Sequence, residues 1–263
     1  MSNGNYDTCL CSSPNTDGDT PLPDSGDLPD SSTGDEPAVD SSIGPFTPAK
    51  LAGLGLWLDD TVGVVLDKGN NVRRWLDQSG LGNNAENPNY QNAEFTVDPS
   101  VINGHDALVP PGAGIFWDIA DGPSLQFGTG DFLVGLVIKT PGGTAPKMWS
   151  KTPGSPLLEI GQDNSTNYYV SVSGVTQAVL PNPAETKFHI VIATGAAMQL
   201  RVDGKVALGP KNMVDISGPA SDTRLFIGGS VQTEVAEVVA VKGTVSSADV
   251  SKLETYWKTK FKL

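Results

Sequence analysis

The sequence predicts an all-β protein: a two-sheet antiparallel sandwich with one short C-terminal helix and an acidic N-terminal tail. Three observations carry this. About a dozen short apolar or alternating runs recur along the chain, separated by turns rich in Gly, Pro and Asn. Only the last element, beginning after Ser246, has helical spacing. The first 45 residues contain eight Asp, Glu36, six Pro, five Gly and eight Ser, with no Lys or Arg.

That opening segment (1–45) cannot bury enough apolar area to offset the ordering of its backbone, so it is expected to be disordered in isolation and to serve as an assembly arm. Nine of the chain's 30 acidic groups lie in it, and all 17 basic groups lie in the body, residues 46–263. The body is long enough for one well-filled core. An acidic chain without a basic cluster before Lys258–Lys262 argues against nucleic acid and against an anionic membrane surface. No run is long and apolar enough to predict a transmembrane helix, and Met1–Cys9 has neither the basic start nor the apolar core of a signal peptide. Cys9 and Cys11 do not complete a zinc site by themselves. Asn15–Asp19 spaces oxygen ligands as a calcium loop does, but Thr20 and Gly26 stand where an EF-hand needs Gly and Glu.

Within the body, Leu54, Leu56 and Leu58 alternate around Trp57 and lead to Asp59–Asp60. A second strand ends at Trp75 and enters the turn-forming run Asp77–Ala85. Trp57 and Trp75 are expected to be structural, filling the core. Further strands are expected at Phe95–Val97, Ala107–Val109, Ile115–Trp117, Phe132–Ile138, Met148–Ser150, Leu157–Ile160, Tyr168–Val172, Ala178–Leu180, His189–Ala193 and Leu225–Ile227. Met198–Val206 reads as a hairpin, because Asp203-Gly204 suits a two-residue type I′ turn. Val235–Val241 is apolar on both faces apart from Glu237, which predicts a central strand. A carboxylate there needs a partner, and Arg73, Arg74 or Arg224 is expected to supply it. Ser246 caps the closing helix, whose Val250, Leu253 and Trp257 share one face, with Trp257 a structural anchor.

Gly55-Leu56-Trp57-Leu58-Asp59, Trp75–Ala85, the closing Val235–Val241 strand and the short helix ending Tyr256–Phe261 together resemble the concanavalin A-like, laminin G-like jelly rolls of bacterial and phage surface proteins. The resemblance spans roughly residues 51–263 and implies a jelly roll of two curved antiparallel sheets. It leaves function open, because one fold carries many roles. Some members bind sugars or calcium at the rim; for calcium, Asp59 and Asp77 are the candidates, with a hydrogen-bonded turn as the alternative.

The tests for chemistry are negative. The glycosidase branch of the resembling fold carries a Glu-x-Asp-x-x-Glu strand, and neither Glu159–Asp163 nor Glu234–Glu237 reproduces it. His105 falls in a turn and His189 in an apolar strand, which leaves no positioned base for a nucleophilic triad. No catalytic residue is assigned, and the expectation is that the chain is not an enzyme. For glycan binding, which wants an aromatic face beside Asp and Asn, the candidates are Trp117 with Asp118, Trp149, and Tyr169 with Asp163 and Asn164. The reading is a non-catalytic subunit of a virion, appendage or envelope at an extracellular surface. It contacts copies of itself or other subunits through residues 1–45. The alternatives are a glycan-recognition or adhesion module and, behind it, a glycan hydrolase.

Overall fold

A computed structural model describes residues 45–87, 95–112, 116–120, 122–140, 147–151, 157–165, 167–181, 187–195, 198–211, 214–217, 223–225 and 233–263. The acidic tail before Pro45 lies outside the described residues, as do parts of the expected strands at Ile115 and at Phe226–Ile227.

The strands, in chain order, are β1 (Leu54–Asp59), β2 (Val64–Leu66), β3 (Val72–Trp75), β4 (Ala85–Glu86), β5 (Thr96–Ile102), β6 (His105–Val109), β7 (Trp117–Ile119), β8 (Phe132–Lys139) and β9 (Lys147–Lys151). They continue with β10 (Leu158–Gln162), β11 (Tyr168–Val172), β12 (Val175–Leu180), β13 (His189–Thr194), β14 (Gln199–Val202), β15 (Lys205–Leu208), β16 (Thr223–Leu225) and β17 (Glu234–Lys242). The chain closes on helix α1 (Ser247–Phe261). The strands form two antiparallel sheets, as the sequence predicts. One has eight strands, in the order β15-β14-β13-β8-β17-β6-β5, with β1 also paired to β17. The other has nine, in the order β12-β11-β10-β9-β16-β7-β4-β3-β2.

Strand alternation builds the core between the sheets. Leu56, Leu58, Val134, Leu136, Val191, Val238 and Ala240 from the eight-stranded sheet meet Trp75, Trp117, Trp149, Ile160 and Val170 from the nine-stranded one. The opposite face of β8, β13 and β17 is apolar too, and α1 covers it. Leu133, Val137, Ile190, Ile192, Val239 and Val241 pack on Val250, Leu253, Trp257 and Phe261. This explains why β17 reads as apolar on both faces: it is buried on both. Gly135 is required beneath the helix, because a Cβ there would stand 2.6 Å from Trp257 Cη2. Ser246 caps α1 by accepting a hydrogen bond from the Asp249 N–H. In the β14–β15 hairpin, Asp203 and Gly204 have φ of 49° and 84°, the left-handed values that a type I′ turn demands.

The run after β3 is a staple between loop and sheet. Asp77 Oδ1 accepts from the backbone N–H groups of Trp57 and Ser79, both at 2.9 Å, and its Oδ2 accepts from Ser79 Oγ and the Asn83 N–H. Asn83 Nδ2 donates to the Gly55 carbonyl at 2.6 Å, and Asn84 Oδ1 accepts from the Asp77 N–H. Trp75 lies in the inter-sheet core as expected. Trp57 instead sits half-buried against the helix-side cluster. The reason is register: Trp57 is opposite Val239, which points at α1.

Candidate functional site

Helix α1 occupies the outer face of the eight-stranded sheet. Among the described residues no helix lies over the outer face of the nine-stranded sheet. One rung of that sheet crosses all nine strands and is polar at every position but Val65 on β2. Register places Val65, Arg74, Glu86, Asp118, Arg224, Ser150, Glu159, Ser171 and Thr176 side by side. The adjacent rung inward holds Trp75, Ala85, Ile119, Leu158 and Val172, all buried in the core. The outward rung beyond Glu159 reads Lys147, Gly161, Tyr169, Val179, so the position between lysine and tyrosine carries no side chain.

Toward the β12 edge of this face the Tyr169 hydroxyl donates to Glu159 Oε1, and Lys147 Nζ lies 2.6 Å from Glu159 Oε2. Glu159 is almost wholly buried, whereas the Lys147 side chain is partly exposed. Burial first, and then the hydrogen bond it donates to the Glu159 carboxylate, push the Tyr169 phenol above its ordinary range. Ser150, next to Glu159 in the rung, has no exposed surface, and its Oγ has no hydrogen-bond partner. A buried hydroxyl in that state costs free energy until something pairs with it. Toward β2, Arg74 and Glu86 pair at 2.6 Å beside a cavity of about 260 Å³ lined by Val65, Arg73, Arg74, Glu86 and Asn87. The face thus offers one half-buried aromatic, one oriented carboxylate, an unpaired hydroxyl and a gap at Gly161.

Of the residues expected to contact ligand, Tyr169 and Asp118 belong to this face. Trp117 and Trp149 do not: both are fully buried on the inner side, Trp117 stacked on Phe95 at 4.2 Å. The correction follows from strand alternation, since Asp118 and Ser150 take the outward positions beside them. Asp163 is committed to its own loop, accepting from the N–H groups of Ser165 and Asn167 and from Asn167 Nδ2. Asn164 is exposed in that loop. Glu159, Lys147 and Ser150 were not singled out as ligand contacts. The available signal was parity: Glu159 alternates with Leu158 and Ile160, as Tyr169 does with Tyr168 and Val170.

The Asp59 and Asp77 carboxylates have separate work. Asp77 is in the staple, and Asp59 Oδ1 accepts from Thr61 N and Oγ1 while its Oδ2 meets Lys260 Nζ at 2.9 Å. Lys260 is also the partner of Glu237, at 2.8 Å, with Trp57 Nε1 donating to the other carboxylate oxygen. This corrects the expected pairing with Arg73, Arg74 or Arg224: the helix end delivers the cation across the outer surface of β17. Burial pushes the Glu237 carboxyl up to about 7. Of the two histidines, His189 is buried and bonded through Nδ1 to Asp203 at 2.7 Å, and His105 meets Asp60 at 3.0 Å.

No family model matches the chain, and no curated protein matches it significantly. Solved structures do. The chain is similar to Trypanosoma rangeli sialidase in complex with the inhibitor DANA, at 18% identity and a TM-score of 0.56, over 80% of this chain and 34% of that one. A mutant of the same sialidase displaying trans-sialidase activity aligns at 15% identity and a TM-score of 0.56, over 86% of this chain and 36% of that one. The binding domain of botulinum neurotoxin DC in complex with rat synaptotagmin II aligns at 12% identity and 0.51, over 78% and 51%. The chain therefore spans about a third of the sialidase chains and half of the toxin domain, and at these identities what is shared is the fold, a β-sandwich. The finer concanavalin A-like assignment has no family match behind it.

The likeness to sialidase chains overturns one expectation, that the chain is not an enzyme. That expectation leaned on the missing carboxylate triplet. The triplet's absence speaks only to glycosidases that work through a carboxylate pair.

Proposed function

We propose that this β-sandwich is a carbohydrate-handling module that seats a glycan on the outer face of the nine-stranded sheet, at Tyr169 and Glu159. The observation that carries the reading is the constellation itself. A tyrosine ring stands beside a glycine gap, next to a buried, oriented carboxylate and a buried hydroxyl without a partner. In this reading the Tyr169 ring packs on the apolar face of a sugar, as amphipathic aromatics do at interfaces. Glu159, oriented by Tyr169 and Lys147, accepts from a sugar hydroxyl. The structural neighbours support a carbohydrate setting: one is a sialidase in complex with sialic acid, and another is botulinum neurotoxin type C, whose cell entry depends on interaction with two ganglioside molecules.

The test is a glycan array, sialylated glycans included, probed with the intact chain and with Tyr169→Ala. Hydrolysis of the hits is followed in parallel. Binding to a defined glycan class, weakened at least tenfold in a folded Tyr169→Ala variant, supports the reading. Equal binding by both proteins refutes the site. Release of free sugar would make the module an enzyme rather than a receptor.

The composition of residues 1–45 favours a second role, contact with other subunits or copies in a surface or virion assembly. Light scattering on the chain with and without residues 1–44 tests it, with assembly confined to the full chain as the supporting result.

A further inference from the structure

Where α1 ends, three carboxylates converge on one ammonium. Lys260 Nζ lies 2.9 Å from Asp59, 2.7 Å from Asp60 and 2.8 Å from Glu237. Their exposures are 6%, 4% and 0%, so water does little to screen them. The other groups facing the cluster are His105, bonded to Asp60 from β6; Thr61 and Trp57, which donate to Asp59 and Glu237; and Tyr256 on α1, whose ring centroid is 5.9 Å from Nζ. Oxygens of all three carboxylates fit within 4.8 Å of one another. One ammonium cannot balance three carboxylates in a dry site, and carboxylates this close do not all stay ionised away from water. A proton taken up by the cluster cuts the uncompensated charge from two to one.

The same place fastens the C-terminal turn. Phe261 is fully buried, its carbonyl accepts from Asn103 Nδ2 at 2.6 Å, and its ring meets His105 edge-on at 4.9 Å. Lys260 also lines a 550 Å³ cavity between α1 and Pro45–Thr47, so the turn is not packed tightly on that side. We propose that the Asp59–Asp60–Glu237–Lys260 cluster is a proton-operated clasp on the last turn of α1, tighter on the acid side of neutrality and looser on the alkaline side.

Burial pushes the carboxyls of Glu237 and Asp60 up, Glu237 to about 7 from its ordinary 4.5. For a carboxyl raised on folding, the folded chain holds the extra proton between those two values. The clasp therefore strengthens as pH falls through 7 and gains nothing more below about 4.5. Asp59 runs the other way. Burial opposes its ionisation, but Lys260 and Thr61 outweigh it and hold the carboxyl low, so its contribution is lost only at strongly acid pH. Through Glu237 alone, linkage gives about a thirtyfold change in the closed-to-open equilibrium between pH 8.5 and 5.5.

The experiment uses the full chain. Carboxyl carbons are titrated by NMR, and hydrogen exchange at the Phe261 amide, corrected for its intrinsic pH dependence, is compared with that at Leu253. One carboxyl should titrate near neutrality, and protection at Phe261 should rise relative to Leu253 by up to about thirtyfold from pH 8.5 to 5.5. Glu237→Gln should abolish both responses. Titration of every carboxyl below pH 5, or a Phe261 to Leu253 ratio independent of pH, overturns the proposal. Should Glu237→Gln not fold, the wild-type titration and exchange decide alone.

Discussion

The staple after β3 permits a sharp test through Asp77→Ala. The substitution removes one carboxylate that accepts four hydrogen bonds, from Trp57 N, Ser79 N, Ser79 Oγ and Asn83 N. The serine groups can turn to solvent. The N–H groups of Trp57 and Asn83 belong to partly buried backbone, and each costs about 1–3 kcal/mol if left unpaired. Partial hydration places the expected loss near the lower end, about 2–4 kcal/mol in total, or roughly 4–16 °C in unfolding midpoint for a body of this size. Asp77→Asn keeps one acceptor but turns an amide donor toward the Asn83 N–H, so it should fall between wild type and Asp77→Ala. Urea unfolding of all three proteins, with and without EDTA, is the assay, with midpoint lowered and slope unchanged. A loss below 0.5 kcal/mol would show that the carboxylate does not hold the loop. A loss seen only before EDTA is added would show that it holds a cation instead.

Three further outcomes follow from the geometry. Gly135→Ala presses a methyl into Trp257 and should cost about 1–3 kcal/mol in chemical unfolding, part of it recovered by adding Trp257→Phe. Burial works against ionisation of Asp203, but hydrogen bonds from His189 and the Ile190 N–H outweigh it and hold the carboxyl below its ordinary range. Its stabilisation is present above about pH 4 and is lost as pH falls further, so Asp203→Asn should flatten the acid limb of a stability–pH curve while lowering stability at neutrality. Tyr169→Phe keeps the ring and loses the bond to Glu159, so glycan affinity should fall less than in Tyr169→Ala; equal losses would mean that the hydroxyl, not the ring, makes the contact.

How much of this was legible in the sequence depends on the range of the interaction. The Asp203-Gly204 hairpin, the Ser246 cap and the double-sided burial of β17 are local patterns, and each appears where residue chemistry placed it. Alternation also set Tyr168 and Tyr169 on opposite faces, and the structure keeps only Tyr168 inside. Trp149 follows the same rule against Ser150, but on its other side β9 breaks its alternation: Met148 is in the core as well, next to the bulge at Ile160/Gly161. The partner of Glu237 was out of reach, since pairing it with Lys260 requires knowing how α1 lies across β17. The Tyr169–Glu159–Lys147 group needs the register of three strands, which no stretch of sequence states. The long-range placements were the illegible ones, and the site is made of them.

The claim that sugar is handled on the outer face of the nine-stranded sheet is tested most directly by a crystal structure of the full chain with the tightest glycan from the array. The account predicts sugar density against the Tyr169 ring, with a hydroxyl within hydrogen-bond distance of Glu159. Density instead in the cavity beside α1, or at the loop around Asp163, with the Tyr169 face bare, would contradict it.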